Sequence, residues 1–269
     1  MKLSNIFSKK NKILLRELVV TEFKLRYQGS VLGYAWSILK PLFIFTILYL
    51  VFEKFLRLGR DIEHFPVYLL LGVVLWNFFS EATNLGLQSI VNRGDLIRKI
   101  NFPKYIIVIS GTVSSLINLG FNMLIILVFA VINGVVFHPD MFILVPLIIE
   151  LYIFALALAF LLSALNVKFR DIGYLWEIFL QAAFYATPIL YPLQMVQTQW
   201  PEAARVIMMN PVAQIIQDAR AVFVTPTTIT SWNLLAGWER IIPFASIAVV
   251  MVLAVYYFKK KSKYFAEEI

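Results

Sequence analysis

The sequence predicts an all-α integral membrane protein of six transmembrane helices, and three observations carry that prediction. Apolar residues fill 60% of the 269 positions and charged residues 15%, whereas soluble domains average roughly 45–50% and about 25%. Residues 105–139, 178–201 and 241–258 hold no Asp, Glu, Lys or Arg, and a helix crosses a bilayer with about 20 mostly apolar residues. The basic charge is lopsided: with six spans, 18 Lys and Arg fall on the side of the two termini and six on the other. Positive charge gathers on the cytoplasmic side, so both termini are expected there. The net charge of +8 then reads as topology rather than as a footprint for nucleic acid.

Taken in order, residues 11–28 (NKILLRELVVTEFKLRYQ) form the first helix candidate. Leu14, Leu18, Thr21 and Leu25 fall along one stripe, and Glu22 and Arg26 are spaced as an i,i+4 pair. Half apolar and basic at its edges, the segment reads as an amphipathic helix lying in the cytoplasmic interface; a solvated helix packed on the protein is the alternative. Residues 1–20 lack the order of a cleavable signal peptide, so the amino end is expected to be retained. The spans follow at about 35–54, 66–90, 106–132, 141–165, 174–191 and 242–258.

Two connections stand out. In NRGDLIRKINFPK (92–104), Gly94 ends the preceding helix, Asp95 can cap a new one and Pro103 stops it, which predicts a short helix over 95–100. That helix would display Leu96 and Ile97 beside Arg98 and Lys99 and suits a partner's groove; alternatively its charges only fix orientation. Between spans five and six, residues 192–241 are far from hydrophilic and follow TPILYP (187–192). They include MNPVAQIIQDARAVF (209–223), where proline interrupts apolar stretches too short to span. Re-entrant outer helices fit this pattern, because broken backbone at membrane depth needs protein or a water-filled cavity around it; an ordinary outer loop is the alternative.

Several chemistries are missing. There is no cysteine and there are two histidines, which starves metal and nucleophile sites. No GxxxxGK[ST] occurs and no glycine precedes a lysine, so the chain has no P-loop and any ATP must be bound by another subunit. HExxH, GxSxG and a DxxD pair are absent as well; no cofactor and no catalytic residue are expected. An ion-coupled carrier would use carboxylates near mid-membrane, for which Glu81, Glu150 and Glu177 are the candidates, though these also suit helix packing. No inverted repeat of broken helices is visible. The 41 aromatic residues cluster at Tyr34, Trp36, Phe43 and Tyr49 and again at Phe184, Tyr185 and Tyr191. Such rings either line a path for a polar polymer or anchor helices at the membrane interface. Gly29, Ser30 and Gly33 make a turn at the mouth of that path, where Gly33 permits close backbone approach.

Five ordered motifs complete the reading. They are the stretch Tyr27 to Trp36 (YQGSVLGYAW) leading to Lys40-Pro41, the loop ending INFPK at Lys104, Phe169-Arg170-Asp171-Ile172, Thr187 to Tyr191 (TPILY), and Asn210-Pro211. In these, over essentially the whole chain, the sequence resembles the membrane subunits of polysaccharide-exporting type-2 ABC transporters, a family that includes the permeases of O-antigen and teichoic acid export. The resemblance implies that 11–28 is an interface helix and 192–241 an outer gate. It implies that 95–100 is a coupling helix, with Asp95, Leu96, Ile97, Arg98, Lys99, Phe102 and Pro103 meeting the ATPase. It also implies a homodimer with two copies of an ABC ATPase in a bacterial or archaeal plasma membrane, enclosing a channel for a lipid-linked glycan. A type-2 exporter of a drug or lipid, an ion-coupled carrier, and a scaffold or transferase of envelope assembly are the alternatives.

Overall fold

A computed structural model describes residues 9–26, 28–57, 59 and 62–269, and among them there is no strand. Tyr27 of the turn motif and the side chains of Arg26 and Tyr34 lie outside the described set. The chain forms α1 (Lys9–Arg26), α2 (Trp36–Tyr49) with a π-helical continuation (Leu50–Phe55), α3 (Phe65–Asn92), α4 (Gly94–Lys99), α5 (Tyr105–Ile132) and α6 (Leu144–Lys168). After these come α7 (Ile172–Ala186), α8 (Leu193–Gln199), α9 (Pro201–Met208), α10 (Pro211–Phe223), α11 (Ser231–Leu234), α12 (Ile242–Lys261) and α13 (Phe265–Glu268).

Four of these helices, α3, α5, α6 and α12, are long and apolar enough to cross a membrane. α2 with its π turn and α7 occupy the places expected for spans one and five. α7 stops short of the expected 191: its 15 residues reach about 22 Å, less than the ~30 Å of a hydrocarbon core. The cause is local. Thr187 is extended (φ −85°, ψ 136°), as the residue before a proline must be, because the ring of Pro188 disfavours a helical neighbour.

α3 is the axis of the bundle. In its most apolar stretch 78% of residues are buried, against 33% in α5, 28% in α6 and 22% in α12. It packs chiefly on α5 and α6, with α12 against the far side of α6. Gly86 lets α3 and α6 approach closely, since a methyl group there would overlap Ala159; small residues serve this purpose where lipid provides no hydrophobic drive between helices. Polar bonds fix the register: the Asn166 amide donates to the Leu87 carbonyl at 3.2 Å, and the Trp176 indole N–H donates to Thr83 Oγ1 at 3.2 Å. The outer faces of α5, α7 and α12 carry exposed apolar side chains such as Val128, Ile178 and Val252.

Candidate functional site

One end of the bundle is held together by α1, α4 and α13. α1 runs lengthwise along α5: Leu18 is buried with Ile106, Ile107 and Val108, and Phe23 meets Phe121 with ring centroids 6.3 Å apart. Its buried face therefore passes through Leu14, Leu15, Leu18 and Phe23, while Thr21 and Leu25 of the expected stripe are exposed. Glu22 pairs with Arg93, 2.6 Å away across the start of α4, and the expected pair with Arg26 lies outside the described side chains. α4 spans 94–99 instead of 95–100, and its first residue Gly94 packs on Ile269, where a larger residue would collide. Ile97 is 5% exposed, enclosed with Ile90 and Phe265, with Leu96 partly buried against them. The display of Ile97 expected from the sequence is thus corrected: α13 and the ends of α3 and α5 cover it, while Leu96 stays half-exposed. Asp95, Arg98 and Lys99 are exposed, and Phe102 and Pro103 are half-buried.

Between α2, α3 and α5 lies a cavity of about 480 Å³. α3 contributes Asn77, Ser80, Glu81 and Asn84, spaced i, i+3, i+4, i+7 and so on one face. α5 adds Ser115, Asn118 and Asn122 in the same rhythm, and α2 closes the space with Trp36 and Lys40. The Asn118 amide donates to Glu81 Oε2 at 2.8 Å. Of the seven aromatic residues assigned to a path, Trp36 lines this cavity. Phe43 is exposed, and Tyr49 stacks on Phe45 at 5.8 Å. At the end of α7, Phe184 lies edge-on to Trp76 and Tyr185, while the Tyr191 hydroxyl donates to the carbonyls of Tyr185 and Ala186. The aromatic residues therefore form two separate groups. Gly29 and Gly33 have φ of +78° and +50° with open space around both. Their requirement is the left-handed backbone, and the space beside Gly33 is open.

Glu177 is exposed. Glu150 sits beside Gln214 and Asp218 of α10, and its Oε1 is buried without a hydrogen-bond partner.

At the opposite end Arg220 of α10 is fully buried. Its guanidinium donates to the carbonyls of Tyr68 (2.9 Å), Pro188 (2.6 Å) and Ile189 (2.7 Å) and stacks on the Tyr68 ring at 3.7 Å. Gly72 makes room for it, because any side chain there would collide with the guanidinium. Asn210 caps α10 by accepting from the Val212 N–H at 3.1 Å, with Pro211 in the first turn. Asp218 accepts from the Ser231 N–H at 2.8 Å and its hydroxyl at 2.6 Å. One arginine thus joins the first turns of α3, the TPILY turn and the helix that opens with Asn210-Pro211. Sequence reasoning counted Arg220 only as an outward charge, and it did not see the asparagines of α3 and α5 as a group.

The pattern extends beyond these motifs: residues 13–224 match the family model of the ABC-2 type transporter. The chain belongs to that family. Its ABC-2 relatives include an O-antigen export system permease protein RfbA of Myxococcus xanthus, 33% identical over 262 residues that cover 95% of both chains. Another, of the same name and from Klebsiella pneumoniae, is 29% identical across 80% of this chain and 81% of its own. The polysialic acid transport protein KpsM of Escherichia coli is 24% identical across 88% of this chain and 92% of its own. The ABC-2 match starts inside α1 and ends just after α10, so it takes in α4, the cavity and the Arg220 clamp together.

Proposed function

We propose that this chain is the membrane subunit of an ATP-driven exporter that moves a lipid-linked polysaccharide out of the cytoplasm, working as a homodimer with two copies of a separate ABC ATPase. The observation that carries the reading is the ABC-2 match combined with a relative aligned end to end and named for O-antigen export. The missing P-loop supports placing ATP on a partner. In this reading six segments span the plasma membrane, both termini are cytoplasmic, α4 is the coupling helix, α8 to α11 form the outer gate, and the channel lies between two copies.

The mechanism follows from the packing. Closure of the ATPase dimer pushes on Asp95, Arg98 and Lys99, which face outward from α4. Ile97 passes that push into Ile90 at the inner end of α3, and α1 follows through the Glu22–Arg93 pair. α3 is held at its other end by Arg220, so the same displacement reaches α10 and the TPILY turn. Such transmission needs contacts that differ between the two states, and α4 and α10 are the elements placed to change them. The test is purification of the complete complex from native membranes. The account expects an ATPase subunit bearing a P-loop to copurify in equal amount. A chain that exports with no such partner contradicts it.

A further inference from the structure

We propose that the cavity between α2, α3 and α5 is a binding site for a saccharide unit, a proposal that rests on the reading of the chain as a polysaccharide permease. Its wall is unusual for a helix bundle in lipid. Glu81 and Asn118 sit near the middles of α3 and α5, where polar side chains are costly unless they face protein, water or a ligand. They are not isolated accidents of sequence. Two polar stripes, 77-80-81-84 and 115-118-122, meet across one space, and such convergence on a cleft of several hundred Å³ is how small-molecule sites are built.

The chemistry of the wall selects the ligand. Four asparagines offer amides that donate and accept side by side, the arrangement that matches neighbouring hydroxyls, each itself donor and acceptor. The Glu81 carboxylate accepts from the Asn118 amide. Asn118 and Asn122 each keep an Oδ1 that is buried with no partner, so the amide network is not closed by the protein alone. Trp36, 40% exposed, supplies a flat apolar face of the kind that stacks on a sugar ring. Among the described residues, Lys40 is the one basic residue on the wall and Glu81 the one acidic residue. A phosphate group would bring its charge against the Glu81 carboxylate. A neutral polyhydroxyl unit incurs no such cost and matches the amides and hydroxyls of the wall.

Two measurements test the assignment. Asn77→Leu with Asn84→Leu keeps the wall volume and deletes its hydrogen bonding. Surface polysaccharide in cells should fall at least about tenfold, equivalent to roughly 1.4 kcal/mol, with the amount of chain in the membrane and the copurifying ATPase unchanged. In the purified complex, Ser80→Cys in this cysteine-free chain gives a single thiol on the wall for a small methanethiosulfonate. Glucose, N-acetylglucosamine or the delipidated surface polysaccharide of the producing cell should slow its modification, inorganic phosphate should not, and the leucine pair should abolish the protection. Undiminished export by the leucine pair, a thiol that no saccharide protects, or protection by phosphate alone each overturns the saccharide site. The underlying reading fails separately: if cells lacking the chain keep their surface polysaccharide while saccharides still protect Ser80→Cys, the export role is wrong and the site stands.

Discussion

Arg220 brings a full charge into a place without solvent, and among the described residues it makes no ion pair. Three carbonyls and the Tyr68 ring replace water, and bonds to a charged donor contribute about 1.5–3 kcal/mol each. Arg220→Ala strands three buried acceptors, so the purified protein should lose several kcal/mol of stability, read as a lower melting temperature and less chain in the membrane. Gly72→Ala should lower it as well by expelling the guanidinium, and the pair of changes should cost less than the two single costs added, because both break the same contact. Full additivity in that cycle would contradict the clamp. Nothing in the sequence announces this residue. Its partners are backbone carbonyls about 30 and 150 positions away, and a carbonyl has no sequence signature. Asn77, Ser80, Glu81 and Asn84 did leave a signal, a polar stripe at helical spacing inside an apolar segment, which is lost when Glu81 is weighed alone.

At the scale of elements, long apolar runs were readable because hydropathy needs no partner. α3, α5, α6 and α12 begin and end within a few residues of the expected spans. Where a partner decides, the sequence was less informative. α1 offers two overlapping stripes, and the face through Leu15 and Phe23 wins because α5 presents Ile107 and Phe121 to it. α4 is similar: a six-residue helix says nothing about which side is covered until Phe265 and Ile269 arrive from the far end of the chain. This divides its residues by role. Ile97→Asp should remove the chain from the membrane, since a charge in the buried cluster costs several kcal/mol. Arg98→Glu with Lys99→Glu should leave chain levels normal and abolish ATPase copurification. Normal copurification with the doubly reversed helix would show that α4 serves orientation only.

For the whole molecule, family membership was legible in five motifs, and the structure joins two of them: Arg220, on the helix that Asn210-Pro211 opens, binds the carbonyls of Pro188 and Ile189 in the TPILY turn. The exposed apolar faces of α5, α7 and α12 require lipid or a second copy, and a single chain does not choose between them. Topology is testable directly. In the cysteine-free chain, Gln197→Cys should react with an impermeant thiol reagent added from outside, and Lys263→Cys should react only after the membrane is opened. Reaction of Lys263→Cys in sealed cells would invert the orientation.

The central claim, that two copies of this chain form the passage through which ATP hydrolysis drives a lipid-linked polysaccharide outward, is tested most directly in sealed vesicles. Chain and ATPase are reconstituted with the nucleotide-binding face outside, and lipid-linked glycan is supplied to that face. The account predicts that ATP renders the glycan inaccessible to an added glycosidase, and that neither a non-hydrolysable analogue nor vesicles lacking this chain do so. Glycan that remains fully digestible with ATP, or that becomes protected without it, would contradict the account.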